Sequence, residues 1–166
     1  MLTRSVVAAA SFAALLTTLG LAACSGSTTD PFGNRPRGLR ISLNGSTVVR
    51  VDGTDVEGSL HTIVGEYSGQ FIIIPVTSDG RVIPTEQGYT LEATIEDPNV
   101  ATFVPLAPGA FEGEIVSLIE GSTTITFRVI RSGATGNLTY VAPPIDLITA
   151  ACPPPSAGVG ACSHAN

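Results

Sequence analysis

The stretch from Leu91 to Val129 constrains this chain more than any other, because its apolar residues recur at every second position on either side of two turn signals. Leu91, Ala93 and Ile95 alternate with Glu92 and Thr94, and Ile125, Phe127 and Val129 alternate with Thr124, Thr126 and Arg128. A period of two puts one set on a buried face and the other in water, which a helix cannot do. Asp97-Pro98-Asn99 fixes one φ and offers side-chain acceptors for a turn, and Glu120-Gly121-Ser122 supplies a residue free of Cβ constraints. The stretch therefore predicts strand, turn, strand, loop, strand, turn, strand.

The same pattern extends towards both ends. Leu39, Ile41 and Leu43 alternate with Arg40 and Ser42, and Asn44-Gly45 then leads into Thr47 to Asp52, which predicts a tight hairpin. Asp52-Gly53-Thr54-Asp55 reads as the next turn and Leu60 to Val64 as a short strand. Phe71 to Val76 is an unbroken apolar run, as in a strand covered on both faces. Pro75 cannot donate to a ladder, which predicts an edge or bulge near the end of that run. Asp79-Gly80 turns the chain into Arg81 to Pro84. Leu138 to Val141 makes a last strand that Ile145 to Ile148 continues beyond Pro143-Pro144. Few aromatics, no Trp, 18 Gly and 12 Pro fit a turn-rich all-β sandwich of about seven to nine short antiparallel strands.

On particular residues the central stretch resembles the bacterial immunoglobulin-like (Big) domains. The matching positions are Asp97, Pro98, Val100, Ala101, Thr102 and Phe103 in one strand. Gly113, Ile115, Gly121, Ser122, Thr123, Thr124, Ile125 and Thr126 match in the hairpin that follows. The resemblance implies a single immunoglobulin-like β-sandwich over residues 38–149, and a role as spacer, adhesion unit or accessory module. A longer N-terminal half and the extra apolar run at Phe71 to Val76 depart from that family.

Residues 1–23 carry one early charge, Arg4, then the apolar run VVAAASFAALLTTLGLAA, the layout of an export signal. The run ends in Leu21-Ala22-Ala23-Cys24, which resembles the lipobox of bacterial lipoproteins. That resemblance implies cleavage before Cys24, lipidation of its sulfur and anchorage in a membrane, with Ser25 after the cysteine favouring the outer membrane. Residues 24–37 then form the lipidated cysteine and a polar Gly/Ser/Pro tether, which fully extended reaches roughly 40 Å.

Residues 150–166 form a Pro/Gly-rich tail with Cys152, Cys162 and His164. In an oxidising compartment Cys152 and Cys162 are candidates for a disulfide, closing a loop of about a dozen residues and contributing somewhat under 3 kcal/mol. The other reading is a thiolate pair with His164 holding Zn or Cu(I), although three ligands at this spacing match no zinc-finger pattern. Asp52, Asp55 and Glu57 crowd one turn but lack the order of a calcium loop.

The sequence offers little for catalysis. His61 and His164 are the two histidines, and no nucleophile elbow surrounds Ser59 or Thr62 beside His61. Glu112 and Glu114 share one face of a strand and read as a solvated edge rather than a glycosidase pair. All eight basic residues are arginine, and the net charge of −6 weighs against nucleic acid as a partner. No cofactor is expected. The chain thus reads as a non-enzymatic envelope lipoprotein whose partner is an envelope protein or a polysaccharide. The alternative is a metal- or small-ligand-binding accessory lipoprotein.

Overall fold

The computed structural model describes residues 35–65, 69–86, 88–133 and 137–152. Among the described residues eleven strands follow one another: β1 (Gly38–Leu43), β2 (Ser46–Asp52), β3 (Asp55–Glu57), β4 (Leu60–Ile63), β5 (Phe71–Val76), β6 (Tyr89–Ile95), β7 (Ala101–Pro105), β8 (Glu112–Ser117), β9 (Gly121–Arg131), β10 (Leu138–Val141) and β11 (Ile145–Ala150). They form two sheets, one ordered β3-β2-β1-β5-β8-β7 and the other β10-β9-β11-β4, with β6 on the opposite side of β9. β5, β7 and β8 lie in one sheet and β6, β9 and β10/β11 in the other, which is the strand partition of an immunoglobulin-like sandwich. β2 and β3 widen the first sheet at its edge, and β4 crosses to the second, where it pairs parallel with β11. The strand number exceeds the expected seven to nine, and one pair is not antiparallel.

The first hairpin forms as its turn chemistry dictates. Asn44 and Gly45 both take positive φ, 50° and 81°, which matches a two-residue turn to the twist of β1 and β2. The ladder then slips by one residue between Ile41 and Ser42, leaving Val48 unpaired as a bulge. The slip keeps Val49 and Val51 on the same buried face as Leu39 and Ile41.

β5 explains its own proline. The amide of Ile73 donates to the carbonyl of Phe111 at 2.8 Å, so the backbone groups of Phe71, Ile73 and Pro75 all face the β8 side. β8 pairs only with Phe71 and Ile72, so the missing donor of Pro75 falls beyond the end of that ladder. There the Pro75 carbonyl accepts from Ile83 at 2.9 Å. Phe71 and Ile73 are buried between the sheets, while Ile72 and Ile74 are half-buried on the outer face. The stretch Arg81 to Pro84, into which Asp79-Gly80 turns the chain, makes one isolated bridge between Val76 and Val82.

β10 and β11 behave as one strand interrupted by Pro143-Pro144. Both run along the same side of β9, with the register shifted by one residue across the prolines. The core between the sheets is built from Leu39, Ile41, Val51, Phe71, Ile73 and Ile115 on one side and Leu91, Ile125, Phe127, Val129, Ile145 and Leu147 on the other. Phe103 from β7 meets Phe127 edge-on, with ring centroids 5.8 Å apart and planes at 87°. Gly113 makes that contact possible, because a Cβ there would lie 2.4 Å from Phe103 Cζ and 2.7 Å from the Val104 carbonyl.

Candidate binding site

Three hydroxyls pin the sheets together where β4 changes sides. Thr62 on β4 and Thr149 on β11 are paired across the parallel ladder, and their oxygens lie 3.1 Å apart. Ser117 at the end of β8, in the other sheet, donates to Thr62 Oγ1 at 2.6 Å and accepts from Thr149 Oγ1 at 3.4 Å. With Thr62 donating to Thr149 the ring closes, each hydroxyl giving one hydrogen bond and taking one. All three residues are buried, so the ring is a structural clamp with no access for substrate.

The titratable residues singled out in the sequence are dispersed. His61 is exposed, and its Nε2 shares a hydrogen bond of 2.8 Å with Ser59 Oγ. Glu112 and Glu114 do share the outer face of β8, and Glu112 accepts from Gln70 Nε2 at 2.7 Å. Asp52 and Asp55 are paired across the β2–β3 ladder, and Glu57 is paired with Arg50. Among the described residues no group of three or more His, Cys, Asp or Glu could hold a metal ion. Cys24, Cys162 and His164 lie outside the described residues, and Cys152 is the last residue within them.

Two shallow clefts do form, both on the outer face of the β1–β2–β3 edge and sharing Arg50. One, of about 330 Å³, lies between β1, β2 and the Thr77–Gly80 turn. The other, of about 340 Å³, lies between β2 and Gly58. Arg40 on β1 and Arg50 on β2 stand directly opposite each other. The Gly53 amide donates to the Arg37 carbonyl at 3.0 Å, which makes Arg40 and Arg50 a non-hydrogen-bonded pair, the kind whose side chains approach closest. Arg40 Nη2 donates to the Gly80 carbonyl at 2.9 Å. Arg50 is exposed, and among the described residues no hydrogen bond or ion pair engages its guanidinium.

The turn forming the far wall of this cleft is rigid for local reasons. The Gly80 amide donates to the Thr77 carbonyl at 2.9 Å and the Thr77 amide to the Arg81 carbonyl at 2.9 Å, while Gly80 takes a φ of 77°. The Thr77 hydroxyl donates to Asp79 Oδ1, and Arg81 Nε donates to Asp79 Oδ2 at 2.7 Å. The Thr77 hydrogen bond, with the Arg81 charge behind it, holds the Asp79 carboxyl below its ordinary value against an opposing desolvation. Its negative charge is thus already matched within the turn. Asp52, at the end of β2, also lines this cleft; burial pushes the Tyr140 phenol above its ordinary value and the Asp52 carboxylate acts in the same direction. The Tyr140 hydroxyl is shielded from water and has no hydrogen-bond partner among the described residues.

The arginine pair escaped the sequence reading because it depends on the bulge. A two-residue turn at Asn44-Gly45 alone would set Arg40 against Val49, and the unpaired Val48 moves it to Arg50.

No protein-family model matches the chain, and no curated protein matches it. Among solved structures, the S-layer protein SbsC domains 4 and 5 are similar at 18% identity and a TM-score of 0.38, over 61% of this chain and 50% of theirs. Domains 5–6 of the same S-layer protein are similar at 20% identity and a TM-score of 0.41, over 64% of this chain and 44% of theirs. The chain therefore spans half or less of the length of each of these structures.

Proposed function

We propose that this chain is a non-enzymatic lipoprotein of the cell envelope, held by lipid on Cys24 and presenting its sandwich as a binding or structural accessory module. The observation that carries this reading is the order of three features: Leu21-Ala22-Ala23-Cys24, a polar tether, and a sandwich whose first strand begins at Gly38. An anchor, a spacer and a compact head in that order hold a binding surface away from a membrane. Lipid chains on one cysteine bury many CH₂ groups at about 0.8 kcal/mol each, which makes such an anchor durable. His61 supports the non-enzymatic reading: it is exposed and hydrogen-bonds the half-buried Ser59, and among the described residues no carboxylate is bonded to orient the ring.

In the tail, a Cys152–Cys162 disulfide accounts for the cysteines better than a metal site with His164. It is supported by the engagement of Cys152 in a bond. Outer-membrane sorting is a further part of the proposal, resting on Ser25 after the cysteine.

The test is protease accessibility of the full chain on intact and on permeabilised cells, beside a Cys24→Ser variant. The proposal predicts that the wild type pellets with membranes while the variant does not. Digestion on intact cells would assign the sandwich to the surface, and protection until permeabilisation would assign it to the periplasm. Equal membrane association of both forms would overturn the anchor.

A further inference from the structure

We infer that the cleft between Arg40, Arg50 and the Thr77–Gly80 turn binds a small oxyanion, a carboxylate or a phosphate or sulfate ester, with Arg50 as its principal ligand. This names a site within the binding module proposed above, but it does not depend on the lipid anchor.

Two arginines stand opposite each other in the closest type of cross-strand pair, and like charges so placed destabilise a sheet. The chain is acidic overall, and three carboxylates lie nearby on the same edge, yet none forms an ion pair with Arg50. Glu57 is its register partner on β3, Asp52 follows it on the same face of β2, and Asp79 is taken by Thr77 and Arg81. Arg50 therefore keeps its full donor set available, and a guanidinium offers a planar fork that matches two oxygens of one anion.

The surroundings fix where such an anion would sit. Arg40 is half-buried and tied to the Gly80 carbonyl by one nitrogen, so it cannot swing away from Arg50 and its charge stays at the cleft. Ser78 is exposed on the rim, with a hydroxyl that makes no hydrogen bond among the described residues. The wall opposite is the doubly hydrogen-bonded turn, which is already in place before any ligand arrives. A volume of about 330 Å³ accommodates a monosaccharide-sized molecule. An anion there would relieve the arginine repulsion as it binds. A free ion and the charged group of an acidic polysaccharide share this chemistry, which is that of the oxyanion.

The full chain in nonionic detergent is titrated with inorganic phosphate, sulfate, glucuronate and, as the uncharged control, glucose. Binding is followed by calorimetry and by the NMR signals of the arginine side-chain N–H groups. The inference predicts saturable binding of at least one oxyanion and none of glucose, with the shift centred on Arg50 and Arg40. Arg50→Gln should weaken that binding about tenfold or more, Arg50→Lys should weaken it less, and Arg128→Gln on the opposite sheet should leave it unchanged. Tighter binding of glucuronate than of the inorganic ions would identify a sugar acid as the source of the anion, and the reverse order would identify a free ion. Absence of binding to all three oxyanions, equal affinity of Arg50→Gln, or shifts spread evenly over every arginine would overturn the site whether or not Cys24 is lipidated.

Discussion

Replacing Thr62 with Val keeps the shape of the side chain and removes the hydroxyl at the centre of the ring joining β4, β11 and β8. Two of the three contacts, at 3.1 Å and 2.6 Å, involve Thr62, and only the longest, at 3.4 Å between Thr149 and Ser117, survives. Each lost hydrogen bond contributes about 1 kcal/mol, and the Ser117 proton is left facing a methyl group in a buried site. The expected destabilisation is about 2–3 kcal/mol, partly offset if Thr149 and Ser117 draw together. The triple variant Thr62→Val, Thr149→Val, Ser117→Ala removes every member of the ring and strands no donor. It should fall within about 1 kcal/mol of the wild type, because replacing all partners by apolar groups avoids the desolvation penalty. Urea unfolding followed by far-ultraviolet circular dichroism measures both, with an unchanged slope as the control for a shared unfolded state. A single variant within about 0.5 kcal/mol of the wild type, or a triple variant equal to the sum of its singles, would refute the ring as a cooperative unit.

Gly113→Ala puts a methyl against Phe103 Cζ and the Val104 carbonyl, and overpacking of this kind should destabilise by about 1–3 kcal/mol in urea unfolding. Phe103→Leu in the same chain should recover part of the loss. Tyr140→Phe deletes a shielded hydroxyl without a partner among the described residues, so a gain of about 0.5–1 kcal/mol is expected, and a loss would mean that the hydroxyl is bonded. Asp79 is held below its ordinary value, so its contribution to stability is present above the unfolded value near 3.8 and disappears as pH falls through the folded one. An NMR titration of its carboxyl carbon should give a midpoint below 3.8 in the wild type and an increase in Thr77→Val, which removes the leading cause. Tyr140 has the opposite sign. Its contribution is present below the ordinary value of 10.0 and lost as pH rises through the folded one, which phenolate absorbance follows.

The parts of the fold legible in the sequence were those fixed by near neighbours. Asn44-Gly45 and Asp79-Gly80 carried their turns in two residues each, and both are turns in the structure. The Asp97 carboxylate accepts from the Asn99 amide at 2.9 Å, as an Asx turn requires. β3 was missed because Asp55–Glu57 is three residues long with one apolar side chain, too short to display a period of two. The parallel pairing of β4 with β11 joins residues such as Thr62 and Thr149, 87 positions apart, and no local pattern encodes that choice. The clefts on the β1–β2 edge were illegible for a narrower reason. Val48 looks like any strand valine, yet its exclusion from the ladder is what sets Arg50 beside Arg40.

The proposed lipid on Cys24 would be carried by the mature N-terminal peptide, whose mass reports it. The full chain is expressed in a bacterium with lipoprotein processing, extracted from the envelope and digested, and the N-terminal peptide is measured. The proposed anchor predicts a peptide that begins at Cys24 and carries a thioether-linked diacylglycerol. A peptide beginning at Met1, or a cleaved one with an unmodified thiol, would contradict it.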